Sequence, residues 1–357
     1  MKIVFDNIVY SLQKAGGISV VWQELTSRFL KKSDDEITFI EHVDNKNNIF
    51  RKLINIPSSN ILEVNPIILT FDRYCSPQIK STVPFIFHSS YFRICNNKKA
   101  INITTVHDFT YDYFYKGKRI GAFLHIWQRN NAIRKSDAVV CISENTRKDL
   151  LKFVPNVDPK KLYVINNGVS DDYRILPNKE KIKELSEYLL FVGQRVAYKN
   201  GKFFIDSVKN THYKIVFCGP KLTKKEKSYL DKTLGKDRYV SYTGLSNKEL
   251  NRIYNSCKCL VYPSSYEGFG IPILEAQAAG CPVIAYNASS IPEVIGDTPL
   301  LMKELTEKEL FSKLDLLKNN ILVSDIINKG IENTKHFSWN LIFEQYRKLY
   351  SNLLFDR

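Results

Sequence analysis

Apolar positions along this chain alternate between short unbroken runs and longer stretches with helical spacing. The runs at 2–5, 37–42, 84–88, 101–106, 138–143 and 163–169 form a first series, and those at 188–193, 214–218, 239–243, 259–262 and 281–286 a second. Runs this short, β-branched or aromatic and without polar alternation, predict parallel strands buried on both faces. The stretches between them predict helices, among them 19–30, where Val20, Val21, Leu25 and Phe29 share a side, and 202–209 and 247–256. The polar stretch 171–186 contains Pro177 and separates the two series, so it is expected to be the connection. The pattern therefore predicts an α/β protein of two Rossmann-like domains, 1–170 and 187–336, followed by a last helix at 337–357.

Candidate chemistry collects where predicted strands end. In the second half the run Cys259–Tyr262 passes into Pro263-Ser-Ser-Tyr-Glu267-Gly268-Phe269-Gly270-Ile-Pro272, then a helix up to Gly280. Two glycines let the backbone approach a ligand, and Pro272 suits a first helical turn because its missing N–H needs no partner there. Glu267 and Glu275 then stand near the positive end of a helix at the carboxyl edge of a sheet. Glu267, framed by the glycines, suits hydrogen bonds from the hydroxyls of a polyol. Glu275 has two readings, a second such acceptor or a glutamate complementing the helix dipole.

Further candidates follow the same logic. Gly16 and Gly17 open the first long helix, where backbone N–H groups can cradle phosphate or sugar oxygens. His107 and Asp108 close the run 101–106, a place for a ligand-facing imidazole, with Asp108 either orienting it or beginning a turn. Arg195 and Lys199 flank a strand-to-helix loop and would stabilise charge growing on a departing anion. Gly219 and Gly244 mark turns, with Leu245 beside the second.

These motifs resemble the signature of the retaining GT-B glycosyltransferases that include bacterial mannosyltransferases and sucrose synthases. Two glutamates eight apart, Gly-Phe-Gly between them and a proline opening the helix carry the likeness. The resemblance implies two lobes facing across a cleft, with the C-terminal helix crossing back to the first domain. It implies a donor site in which Arg195 and Lys199 hold a nucleoside diphosphate and Glu267 the sugar hydroxyls. Glu275 would hold the ribose, and Leu245 would lie by the base. Gly16, Gly17, Gly268, Phe269 and Gly270 would line this site, and His107 would contact the sugar from an acceptor-binding first domain. Closure of the cleft would exclude water.

Composition adds bounds. In 357 residues the hydrophobic share is 44% and the charged share 25%, an ordinary soluble composition. No run reaches the length of a membrane span and 1–6 reads as a strand rather than a signal peptide, so a cytoplasmic chain is expected. Seven scattered cysteines without ligand spacing read as structural thiols, Cys141, Cys218, Cys259 and Cys281 lying in or beside apolar runs. The net charge of +15 suits an anionic partner: nucleic acid, membrane surface or phosphorylated substrate. Glycine-framed glutamates argue against nucleic acid, because carboxylates repel phosphate. A segment with Ile120, Phe123, Leu124 and Trp127 among Lys116, Lys118, Arg119, Arg129 and Arg134 predicts either a face docking on anionic lipid or a helix with Trp127 in the core.

The expected activity is transfer, with retention, of a hexose from a nucleoside diphosphate sugar to an oligosaccharide or lipid-linked acceptor of a surface polysaccharide. Mannose from GDP-mannose is favoured. No Asp-x-Asp follows a predicted strand, so neither a catalytic metal nor a cofactor is expected. A nucleotide-sugar epimerase is the alternative, and a basic nucleic-acid-binding protein the remoter one.

Overall fold

The computed structural model describes residues 1–42, 47–64, 72–118 and 120–356. The chain forms two compact units, Met1–Gly168 with Trp339–Arg357, and Val169–Ser338.

In the first unit the apolar runs become seven parallel strands: β1 (Lys2–Asp6), β2 (Glu36–His42), β3 (Ile61–Val64), β4 (Phe85–Ser89), β5 (Ala100–Val106), β6 (Ala138–Cys141) and β7 (Leu162–Val164). They lie in the order β3-β2-β1-β4-β5-β6-β7, with Phe5 paired to Phe39 on one side and His88 on the other. The order reverses at β1 and β4, the switch point beyond which doubly wound sheets place ligands. Helix α1 (Gly17–Lys32) starts two residues earlier than its apolar spacing suggests, and a one-turn helix, Val9–Leu12, precedes it. The basic and aromatic segment divides into a π-helical turn, Tyr111–Tyr115, and helix α2 (Ile120–Lys135). Helix α3 (Glu144–Phe153) begins where the Ser143 hydroxyl accepts the N–H of Thr146, which stops β6 at Cys141.

Helix α2 has two unlike faces. One buries Ala122, Ala132, Ile133 and Arg129, whose guanidinium grips both oxygens of Asp112 and stacks 4.1 Å from the Phe109 ring. The opposite face exposes Ile120 (84%), Phe123 (69%), Leu124 (39%) and Trp127 (52%). Trp127 is thus on the surface, not in the core. Arg119 lies outside the described residues.

The C-terminal helix Trp339–Phe355 belongs to the first unit. Phe343 and Tyr350 meet Phe29 of α1 at ring distances of 4.9 and 5.2 Å, and the Tyr350 hydroxyl lies 2.5 Å from His88 Nδ1. Burying such aromatic side chains contributes roughly 1.5–3 kcal/mol each. Gly168 is required at this junction, because a Cβ there would sit 2.7 Å from the Trp339 ring.

The second unit repeats the plan with six parallel strands: β8 (Tyr188–Val192), β9 (Lys214–Cys218), β10 (Tyr239–Tyr242), β11 (Cys259–Tyr262), β12 (Val283–Tyr286) and β13 (Leu301–Met302). Their order is β10-β9-β8-β11-β12-β13. Around them run α4 (Gly201–Val208), α5 (Lys224–Thr233), α6 (Asn247–Tyr254) and α7 (Ile271–Ala278). Reciprocal Thr223–Glu226 and Ser246–Glu249 capping boxes start α5 and α6. The stretch 171–186, read from the sequence as the connection, lies in this unit. It is bound to α6 and the turn after it: the N–H groups of Arg174, Leu176 and Ile182 donate to Asn251, Asn255 and Ser256. Among the described residues no helix is long and apolar enough to cross a membrane.

Candidate active site

In the second unit the loops after β8, β9 and β11 converge. The N–H of Gly193 donates to Cys218 O, and a Cβ on Gly219 would lie 2.4 Å from Gly193 O, so glycine alone permits this approach. Asn200, in the left-handed region, turns the β8 loop into α4, and its amide donates to Pro263 O and Ser265 Oγ. That tie fixes Lys199 beside the glycine loop, where its Nζ donates to Glu267 Oε1 at 2.8 Å. Both side chains are largely withdrawn from solvent, 16% and 13% exposed.

The Glu267 loop is clamped from behind. Its N–H donates to Ser289 Oγ, while Ser290 Oγ donates to the carbonyls of Glu267 and Phe269. Ser289 and Ser290 support this loop, a role that sequence reasoning passed over; the positive φ of Ser289 (49°) has no sequence signature. Gly270, at φ 108°, leads into α7. The Phe269 ring is 3% exposed and packs edge-on to Phe337, so the side chain supports the loop.

Arg195 departs from the expected arrangement. The structure brings Lys199 and Glu267 together, but Arg195 Nε donates to Glu226 Oε1 at 2.7 Å and Nη2 to Pro220 O at 2.7 Å. The side chain is 7% exposed, and Nη1 is buried with no partner among the described residues. Burial, which opposes ionisation of Glu226, is outweighed by hydrogen bonds from Arg195 and Thr223, which bring its carboxyl down to about 2.

Glu275 lies past the first turn of α7, which holds no acidic residue, so it does not complement the helix dipole. It accepts the Tyr254 hydroxyl at 2.9 Å. Burial pushes its carboxyl up to about 7, against hydrogen bonds from Tyr254 and Tyr173. Leu245 is half-buried beyond β10, after Gly244 at φ 67°.

In the first unit His107 is half-buried at the end of β5, and burial lowers its pKa to about 4, so the ring is neutral at pH 7. Asp108 Oδ1 accepts the N–H of Thr110 and begins the following turn. Behind His107, His88 bridges Tyr350 and Thr105; burial and then His107 lower it to about 3. Gly17 is exposed at the start of α1, with open space where a Cβ would stand, whereas Gly16 is crowded by Gln13.

Residues 15–173 match the family model of Glycosyltransferase Family 4 and residues 172–333 that of Glycosyl transferases group 1. An uncharacterized glycosyltransferase of Methanocaldococcus jannaschii is 26% identical over 99% of both chains. O-antigen chain mannosyltransferase B of Escherichia coli is 24% identical over 71% of both. The structure of Anabaena HepE in complex with UDP-glucose superposes with a TM-score of 0.74 at 14% identity, covering 99% of this chain and 100% of that one. That likeness identifies the fold as GT-B, two Rossmann-like sheets in one chain. With the two family models running in succession from residue 15 to residue 333, the chain belongs to the family 4, group 1 glycosyltransferases.

Proposed function

We propose that this glycosyltransferase moves a hexose, mannose from GDP-mannose in preference, onto an oligosaccharide or lipid-linked acceptor with retention and without a metal. The observation that carries the reading is the Lys199–Glu267 pair, a cation and an acid held in one glycine-framed loop cluster. The cation suits a leaving diphosphate and the acid suits sugar hydroxyls. A mannosyltransferase of O-antigen chains among the relatives favours the sugar, and HepE with UDP-glucose supports a nucleotide-sugar donor. Membership in a glycosyltransferase family sets aside the epimerase alternative.

In the proposed step the acceptor oxygen attacks the anomeric carbon on the face the diphosphate leaves. The bond to the phosphate oxygen breaks with both electrons going to the diphosphate, and the acceptor's proton passes to a phosphate oxygen. Lys199 and the unpartnered Nη1 of Arg195 stabilise the charge that develops. Glu267 orders sugar hydroxyls, Glu275 accepts from the ribose, and neutral His107 is suited to a hydroxyl. Incubation with a panel of sugar nucleotides, with and without acceptor extract, tests this. Acceptor-dependent release of GDP, an unchanged anomeric configuration by NMR and indifference to EDTA are expected; nucleotide release at background with every donor would overturn the reading.

The outer face of α2 belongs to the same proposal as a contact with anionic membrane. Ile120, Phe123, Leu124 and Trp127 follow i, i+3, i+4, i+7 spacing, with exposed Lys116 and Lys118 before them and Arg134 and Lys135 after. Apolar side chains would enter the interface and the cations would meet lipid phosphates. Trp22 and Trp339 are buried, so Trp127 reports alone. Its fluorescence should shift to the blue with vesicles containing phosphatidylglycerol and not with neutral ones; no shift with either refutes the contact.

A further inference from the structure

Outside the site described above, the first unit carries a cluster whose groups the glycosyl-transfer step does not use. β4 ends at Ser89, and Phe92 then takes a left-handed backbone, φ 53°, a conformation that costs a bulky residue on the order of 1–3 kcal/mol. The turn sets Tyr91 and Phe92 on the His125 ring of α2, Tyr91 through its hydroxyl at 3.0 Å from Nδ1 and Phe92 edge-on at 5.6 Å. Tyr111, 37% exposed, stacks on the same imidazole with centroids 4.0 Å apart and planes inclined by 26°. The guanidinium of Arg73 lies 4.9 Å from the Tyr91 ring, and its Nε is buried without a partner among the described residues. Burial, with Arg129 and Arg73 nearby, lowers His125 to about 4, so its imidazole is neutral at pH 7.

We propose that this aromatic shelf, beyond the carboxyl ends of β4 and β5, is the subsite for a pyranose ring of the acceptor. The inference rests on the glycosyl-transfer reading. A pyranose has an apolar C–H face and a rim of hydroxyls. Tyr111 over His125 offers a flat π surface to the first, and the Arg73 guanidinium, whose Nε has no partner among the described residues, offers a donor to the second. The backbone strain at Phe92 has a use here, since it puts two rings around one imidazole.

The test needs no donor. Saturation-transfer NMR is recorded with methyl α-mannopyranoside, methyl α-glucopyranoside and methyl α-galactopyranoside on the whole chain. Saturation of the ring protons of at least one glycoside is expected, reduced at least fivefold in Tyr111→Leu, which keeps bulk at an exposed position but loses the π face. His125→Ala should do the same, with an unchanged thermal midpoint for Tyr111→Leu and unchanged GDP or UDP binding as fold controls. No saturation of any of the three glycosides, or full saturation in Tyr111→Leu, overturns the subsite. If glycosides bind as expected while no sugar nucleotide supports transfer, the functional reading fails and the subsite stands. If transfer proceeds and Tyr111→Leu leaves the acceptor KM unchanged, the subsite fails and the function stands.

Discussion

The six strands of the second unit repeat the order of the first six of the first, with the reversal at the same place, yet their carboxyl edges carry different chemistry. Beyond β8 and β11 the groups are charged and paired, Lys199 with Glu267 and Arg195 with Glu226. Beyond β4 and β5 the ion pairs Arg93–Asp6 and Arg129–Asp112 are buried, and beside them stand aromatic rings and the neutral imidazoles of His107 and His125. A doubly wound sheet therefore fixes where a ligand sits and leaves open what it is. The Lys199 cation in one unit suits a diphosphate, and the ring surface of Tyr111 and His125 in the other suits a sugar.

The largest effect that would break this contrast is loss of the second unit's cation. Lys199→Ala should lower kcat by about a hundred- to a thousand-fold, as removal of a transition-state charge stabiliser does, and leave Glu267 without this partner. A loss under fivefold in steady-state rates would mean that Lys199 serves the loop rather than the leaving group. Next in size is a pH effect on one residue. Glu275 ionises near pH 7 in the folded chain, so donor KM should rise as pH falls from 8 to 6, by up to about tenfold per unit. Glu275→Gln should flatten that profile. The same shift has a stability sign: its folded pKa is raised above 4.5, so its contribution is full below 4.5 and is lost as pH rises to about 7. His107, at about 4, should add no step between pH 6 and 8.

Smaller effects sharpen the comparison through the scaffold. Gly168→Ala drives a methyl to within 2.7 Å of the Trp339 ring and should cost about 1–3 kcal/mol, read as a lower thermal midpoint of the first unit. Gly121→Ala is its control. In α2 a Cβ at Gly121 meets nothing within 4 Å among the described residues, so the substitution should stabilise by about 0.5–1 kcal/mol.

Most strands are legible because burial on both faces forces unbroken apolar runs, as in Cys259–Tyr262 and Lys214–Cys218. The glycine-framed loop is legible because turn chemistry is local. What stays hidden joins distant residues through single hydrogen bonds. Glu226 reads as the third residue of a capped helix, and nothing in its neighbourhood says that it also holds Arg195, thirty-one positions earlier. Ser289 and Ser290 look like an ordinary helix start until their hydroxyls are seen under Glu267. Phe269 reads as a ligand contact because its glycine neighbours do; its own ring answers to Phe337. Likewise 171–186 looks like a tether by composition, yet asparagines of α6 and the turn after it anchor its backbone.

The return of Trp339–Phe355 to the unit in which the chain began reverses the usual order of assembly. As the nascent chain leaves the ribosome, its first 168 residues emerge without the helix that covers Phe29 and His88. The second unit, contiguous in sequence, is complete sooner, so the half made first is finished last, and a chain stopped short of Tyr350 would carry an open apolar core.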